Sequence, residues 1–306
     1  MKTVELTKYV PILLPIPAVG IGAITMSSLD LSAAIWGQNL VTLLIAVLVS
    51  GLLIVKGTNN RETGKKDKRD KKDKSSIDRI EKDRTDLGFL IPLSILLLGA
   101  TFWDAGIDGV HRWISIGSVK LYVASIIVPL LIIELSRVAA LNRWWMAAAN
   151  TVAVALAFAL QPDASHMTAF IIPLAIILWR GTSQKLLQIG TLIVATFLIA
   201  YSWINIDQLS PVSYVEQIVE LAGSMGIFWL FLALLSLLAL PLPFFLLAPE
   251  SSKRTSFCLG IYFLLLLIST RFGNFPVPLM GYGISPIIGY FIAATWLVKA
   301  KVKERH

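Results

Sequence analysis

Apolar runs alternate with short polar breaks along almost the whole chain. Ten such runs stand out, at 9–28, 37–55, 87–103, 119–136, 144–161, 165–179, 186–204, 225–247, 256–271 and 282–298. About 20 mostly apolar residues are needed to cross about 30 Å of hydrocarbon. The pattern therefore predicts an all-α, polytopic membrane protein with about ten transmembrane helices, forming a single membrane unit over residues 1–306. The first run carries Pro11, Pro15 and Pro17, so a kink is expected near its start. The sixth run is the shortest, which suits a tilted or partly re-entrant helix. No run reads as a cleaved signal, because the first lacks a small-residue cleavage site and the rest of the chain is equally apolar.

Charge sharpens this picture. The chain of 306 residues is 56% hydrophobic and 15% charged, against about 25% charged for a soluble domain. Residues 57–86 hold 11 Lys/Arg and 8 Asp/Glu, leaving 16 and 11 for all the rest. That segment is expected to be a charged cytoplasmic loop between spans two and three, with a helical end near Ile77–Arg84. It either fixes topology or docks anionic lipid or a cytoplasmic partner. A soluble globule, a disordered chain and a nucleic-acid binder are disfavoured. The net charge of +8 reads instead as cytoplasmic loops facing anionic lipid.

The basic residues set the orientation. With the N-terminus inside, Lys2, Lys8, Lys56, Arg137, Arg143, Arg180, Lys185, Lys253, Arg254, Lys299, Lys301, Lys303 and Arg305 are cytoplasmic. Only Arg112, Lys120 and Arg271 fall outside. Both termini are therefore expected in the cytoplasm. The single cysteine, Cys258, excludes an internal disulfide and a cysteine-based metal site, and reads as inert packing.

On the outer side this topology leaves polar stretches at 104–118, 205–224 and 272–283, with the corner 161–166 beside them. A site at that membrane boundary is the functional expectation. In DGVHRWISIG, Arg112 and Trp113 suit either interfacial anchoring or phosphate binding. In ALQPDASHM, Asp163 either caps span six or takes a functional role, the two being compatible, and His166 lies three residues on. In FPVPLMGYGISP, prolines and glycines surround Tyr282; irregular backbone there closes the bundle or lines a wet cavity. Three histidines, His111, His166 and His306, make a metal centre an unlikely reading. No cofactor is expected, although nothing in the sequence forbids a divalent cation.

Taken together, in this order and on one side of ten spans, these pieces resemble the SEDS family (shape, elongation, division and sporulation) of the RodA/FtsW/SpoVE type. Gly109, Arg112, Trp113, Ile114, Ile116 and Gly117 match its Gly…RWI-x-(L/I)-G run. Leu160–Asp163 match its LQPD, and Pro276, Pro278, Tyr282, Gly283 and Ser285 echo its C-terminal Pro-rich run. The resemblance covers roughly 36–298. It implies a bacterial cytoplasmic-membrane protein of peptidoglycan synthesis that acts on lipid II in cell shape or cell division. It implies a glycan-strand polymerase working beside a class B penicillin-binding protein.

The departures carry weight. Where the family has a QPSE run and, three residues after its Glu, a Lys, this chain has Tyr122 to Ser125 and then Val128, so the Glu–Lys pair is absent, and neither Tyr122 nor nearby Lys120 is an evident substitute. The family's long external loop carries an HTDF aspartate read as the catalytic base. Here the loop spans only 205–224 and lacks that run. Counting back from Gly226 brings the aspartate's place to Val215, beside Glu216. Glu216 and Glu220 would share a face on any continuous helix.

A polymerase needs a carboxylate to take a hydroxyl proton and a cation for the departing diphosphate. Glu216, or else Asp207, is the expected base. Arg112, with Lys120 or Arg271, is expected at the diphosphate. Trp113, Asp163 and Tyr282 complete the expected substrate-binding set, with Asp163 shaping the cavity. The alternative is a non-catalytic relative: a binder or translocator of undecaprenyl-linked precursors, or a scaffold of the elongation or division complex. A generic transporter would show an inverted internal repeat, and none is evident.

Overall fold

The computed structural model describes residues 9–66, 89–207 and 209–304, with side chains from 57 to 66 set aside. Ten membrane-crossing elements follow one another, each overlapping one of the ten apolar runs. The first is α1 (Val10–Leu13) joined to α2 (Pro15–Ser28). The break at Leu14 sits among Pro11, Pro15 and Pro17, where the kink was expected. Then come α3 (Ala33–Lys66) and α4 (Phe89–Trp103), the latter ending in a 3-10 turn. Next are α5 (Val123–Ala140), α6 (Trp144–Leu160), α7 (Ala164–Arg180) and α8 (Lys185–Ile204).

Two short external helices, α9 (Ser213–Glu216) and α10 (Ile218–Ser224), precede the eighth crossing. That crossing is α11 (Ile227–Ala239) followed by α12 (Leu242–Leu246), interrupted where Pro241 and Pro243 remove backbone donors. Helices α13 (Lys253–Ser269) and α14 (Ser285–Glu304) close the bundle. Six of the crossings are long and apolar enough to span a bilayer by length and composition alone. An even number of crossings puts Val10 and Glu304 on the same side, in keeping with the orientation expected from the charge pattern.

Several boundaries differ from the sequence expectation. The fourth span begins at Val123, because residues 119–122 form a strand. β1 (Trp113–Ile116) and β2 (Val119–Tyr122) pair antiparallel, with Trp113 opposite Tyr122 and Ile116 opposite Val119. Gly117, at φ 60°, and Ser118 make the two-residue turn. The alternation in VKLY and the Gly-Ser pair were the available signals. The sixth crossing is a continuous helix, not a re-entrant one. It has 17 residues, or about 26 Å, and α5, α6, α8 and α13 all pack against it. Residues 57–66, expected as loop, continue α3. The rest of the 57–86 segment, including Ile77–Arg84, lies outside the described residues.

Close helix approach relies on small residues, as expected where lipid supplies no hydrophobic drive. A Cβ at Gly289 of α14 would overlap the Ser125 carbonyl oxygen of α5. A Cβ at Gly22 of α2 would overlap that of Met280. The first contact joins the start of α14 to that of α5, and the second seats the segment between α13 and α14 on α2.

Candidate functional site

Pro162 ends α6, and the chain turns directly into α7 with Asp163 as its N-cap. Asp163 Oδ1 accepts the His166 backbone N–H at 3.1 Å. The same carboxylate does more than cap. Its Oδ2 accepts the Tyr122 hydroxyl at 2.6 Å and lies 3.3 Å from His166 Nδ1. That nitrogen is 3.0 Å from the Tyr122 hydroxyl, while His166 Nε2 is 3.2 Å from Ser125 Oγ. Tyr122, Ser125, Asp163 and His166 are all buried, so the end of β2 and the starts of α5 and α7 meet in one satisfied polar knot. Burial pushes the Asp163 carboxyl up. His166 and Arg112, with hydrogen bonds from His166 and Tyr122, outweigh it and hold Asp163 well below the usual carboxylate range.

Arg112, at the foot of β1, is nearly enclosed at 3% exposure. Its Nε donates to the Gln161 carbonyl at 3.2 Å, and its Nη2 donates to the Pro162 carbonyl and to Asp207 Oδ2. Gln161 Nε2 in turn donates to Thr101 Oγ1 at 2.7 Å. Arg112 thus joins the α4 end, the α6–α7 corner and the loop after α8. Burial opposes its charge, yet Asp163, Tyr122 and Asp207 together hold its pKa above the ordinary arginine value. Asp207 uses Oδ2 for Arg112, and its Oδ1 accepts the Leu209 N–H at 3.0 Å.

Beside this knot lies a cavity of about 220 Å³ whose wall includes Arg112, Trp113, Lys120, Tyr122, Glu216 and Tyr282. Two backbone hydrogen bonds set the last two in place. Val277 N–H donates to the Val215 carbonyl at 3.1 Å, and Tyr282 N–H to that of Tyr214 at 3.0 Å. Gly281 permits this approach, since a Cβ there would meet the Val215 carbonyl oxygen. Asn39, in the apolar α3, braces the segment from beneath. Its Nδ2 donates to the Gly281 carbonyl at 3.0 Å, and its Oδ1 accepts the Gly283 N–H at 3.2 Å. The Tyr214 and Tyr282 rings meet edge to face at 5.8 Å.

Glu216 is half-buried, and its Oε2 accepts the Val212 N–H at 2.7 Å. Burial raises its pKa to about 7, against the lowering effect of the Val212 N–H and of Arg112; the Asp207 charge pushes the same way as burial. The helix breaks at Gln217, so Glu216 and Glu220 do not share the continuous helix that the sequence suggested. Glu220 instead pairs with Arg271 at 2.6 Å, both about half exposed, and Arg271 is not among the residues lining the cavity. Lys120 is exposed at the rim. No cluster of three or more His, Cys, Asp or Glu suited to a metal ion occurs among the described residues.

The structure therefore brings Arg112, Trp113, Lys120, Glu216 and Tyr282 to one cavity, with Asp163 behind its wall and Asp207 on Arg112. Sequence reasoning set Tyr122 and Ser125 aside, named Ser285 only within the Pro-rich run, and missed Asn39. Ser285 Oγ accepts the Tyr122 N–H at 2.8 Å. The only signal at Asn39 was a Gln38-Asn39 polar pair in an otherwise apolar stretch of α3, and it does not say what Asn39 contacts.

No protein-family model matches the chain, and no curated protein matches it in sequence. Solved structures do match. The rod shape determining protein RodA of Thermus thermophilus, as an aspartate-to-alanine mutant, superimposes with a TM-score of 0.67 at 15% identity. The match covers 97% of this chain and 98% of that one. The unmutated RodA gives 0.63 at 17% identity, covering 97% of each chain. The chain has the RodA fold. A third match, at TM-score 0.59 and 17% identity, covers 96% of this chain and 97% of the other. It comes from a structure titled as the coordination of polymerization and crosslinking by a peptidoglycan synthase complex. RodA-like architecture thus runs almost end to end, and the multi-pass, all-α membrane arrangement read from the sequence stands.

Proposed function

We propose that this chain is a SEDS-type protein of bacterial cell-wall biogenesis in the cytoplasmic membrane, polymerising glycan strands from lipid II at the outer boundary. The observation that carries the reading is Glu216, a half-buried carboxylate with a pKa near 7, in one cavity with Lys120 and Trp113 on the RodA fold. A general base is most effective when its pKa lies near the working pH. Glu216 takes the proton from the 4-hydroxyl of one lipid-linked disaccharide. The freed oxygen forms a bond to the anomeric carbon of the second, the bond from that carbon to the diphosphate oxygen breaks, and undecaprenyl diphosphate leaves with the electron pair. Glu216 then returns its proton to water.

The distribution of charge assigns the remaining roles. Arg112 has three acceptors already, so it acts through its field and as a strut, and exposed Lys120 supplies the direct contact to diphosphate. Asp207 is the counter-ion of Arg112, leaving Glu216 as the base. Trp113 and Tyr282 offer ring faces to the sugars, and Asp163 holds the wall. The synthase-complex relative supports a crosslinking partner, which we place as a class B penicillin-binding protein. The engagement of Arg112 favours one second reading, a precursor binder without catalysis. Purified protein with labelled lipid II separates the two. Glycan product that disappears in Glu216→Gln supports the polymerase. Retained lipid II with no product from either protein supports the binder.

A further inference from the structure

Away from the external site, α3 and α14 run side by side in the same direction and leave a groove of about 600 Å³ between them. One wall is a helical stripe of Thr42, Ile45, Val49 and Leu53, the other of Ile284, Ile288, Ile292 and Thr295. Both follow three- and four-residue spacing, so each presents one face to the groove. The two hydroxyls midway satisfy each other, with Thr295 Oγ1 2.8 Å from Ser50 Oγ, which leaves the walls apolar. Ile45, Val49 and Leu53 are about half exposed, so the groove opens sideways to the bilayer.

Its cytoplasmic end differs from the rest. The α14 stripe continues to Lys299, the one charged residue lining the groove. The α3 stripe continues, three residues past Leu53, to Lys56. Both lysines are exposed, and neither has a carboxylate partner among the described residues. An apolar slot that ends in two unpaired ammonium groups at the inner interface fits an amphiphile with a negative head. The outer end, at Thr42 and Ile284, carries no charge.

We propose that this groove binds an anionic glycerophospholipid of the cytoplasmic leaflet, one acyl chain lying between α3 and α14 and the phosphate against Lys299 and Lys56. The site is independent of the polymerase reading, since it faces the opposite leaflet from Glu216. The test uses the full-length chain, purified in mild detergent and exposed separately to phosphatidylglycerol and phosphatidylcholine, with retained lipid counted by native mass spectrometry. Phosphatidylglycerol is expected to be retained in preference to phosphatidylcholine. Lys299→Gln and Lys56→Gln should each lower its retention about fivefold, while Lys299→Arg should keep it. Val49→Trp, which fills the slot from its lipid-facing side, should displace the lipid from a protein whose thermal transition is unchanged. Equal retention of both lipids, or full retention in Lys299→Gln, overturns the proposal. So does a polyprenyl phosphate held regardless of Lys299, which would give the groove to a tail entering from the outer leaflet.

Discussion

The sharpest consequence of the proposed role of Glu216 is a pH dependence of glycan synthesis. A base must be ionised to accept a proton, and Glu216 is half-ionised near pH 7 because burial raises it from 4.5. At pH 6 about one molecule in ten carries the active carboxylate, and at pH 5 about one in a hundred. The value of kcat/KM should therefore climb about tenfold per pH unit below 7 and level off above it. Glu216→Gln should remove the limb and lower the rate by about 10² to 10⁴. Asp207→Asn adds a second, signed check. Asp207 pushes the Glu216 pKa up, and without it Arg112 attracts the carboxylate more strongly. Both changes move the limb to lower pH. The assay is polymer length and yield from fluorescent lipid II on denaturing gels between pH 5 and 8.5, with thermal transitions confirming a folded protein throughout. A flat profile over that range, or a limb that persists in Glu216→Gln, refutes Glu216 as the base.

Three further changes test the scaffold. Asp163→Ala removes an N-cap and the main counter-charge of the buried knot, and should cost about 3–5 kcal/mol; Asp163→Asn, which keeps the cap acceptor, should cost less, as read by thermal unfolding in detergent. Arg112→Lys cannot span the Gln161 and Pro162 carbonyls and Asp207 at once, so the 205–224 loop should become more susceptible to limited proteolysis at unchanged protease concentration. Gly289→Ala forces α14 away from Ser125 and should destabilise by about 1–3 kcal/mol, visible as a lower transition midpoint.

The helices were legible because their signal is length and apolarity, which needs no tertiary information. The boundaries that shifted did so for local reasons. The hairpin at 113–122 is apolar enough to pass for the start of a span, and only its alternation and the Gly117-Ser118 turn distinguish it. Asp163, Arg112 and Trp113 were visible as polar or aromatic residues at span edges. Their mutual geometry was not, because Arg112 and Asp207 are 95 positions apart in sequence and nothing local specifies that pair. Asn39 and Ser285 act through backbone groups of distant segments, and such contacts leave no trace in the residues around them.

The external loop is short and lacks the HTDF segment of the SEDS family that the sequence resembles, yet a carboxylate reaches the cavity. The reason lies in backbone pairing. Residues 214–215 hydrogen-bond to 277–282, and Asn39 holds that second segment against α3. These contacts fix the short helix α9 against the second segment, and both Val215 and Glu216 line the cavity that Arg112 also lines. The break at Gln217 then prevents Glu220 from bringing a second negative charge to the same face, and Arg271 neutralises Glu220 at the surface. A single carboxylate, half-desolvated and without a paired cation of its own, is the arrangement that leaves its pKa raised. The Arg112 charge still lowers that pKa, and burial, reinforced by the Asp207 charge, outweighs it. For the proposed role of Glu216 as a base, the Arg112–Asp207 pair therefore matters through both of its charges, which act on the Glu216 carboxyl with opposite signs.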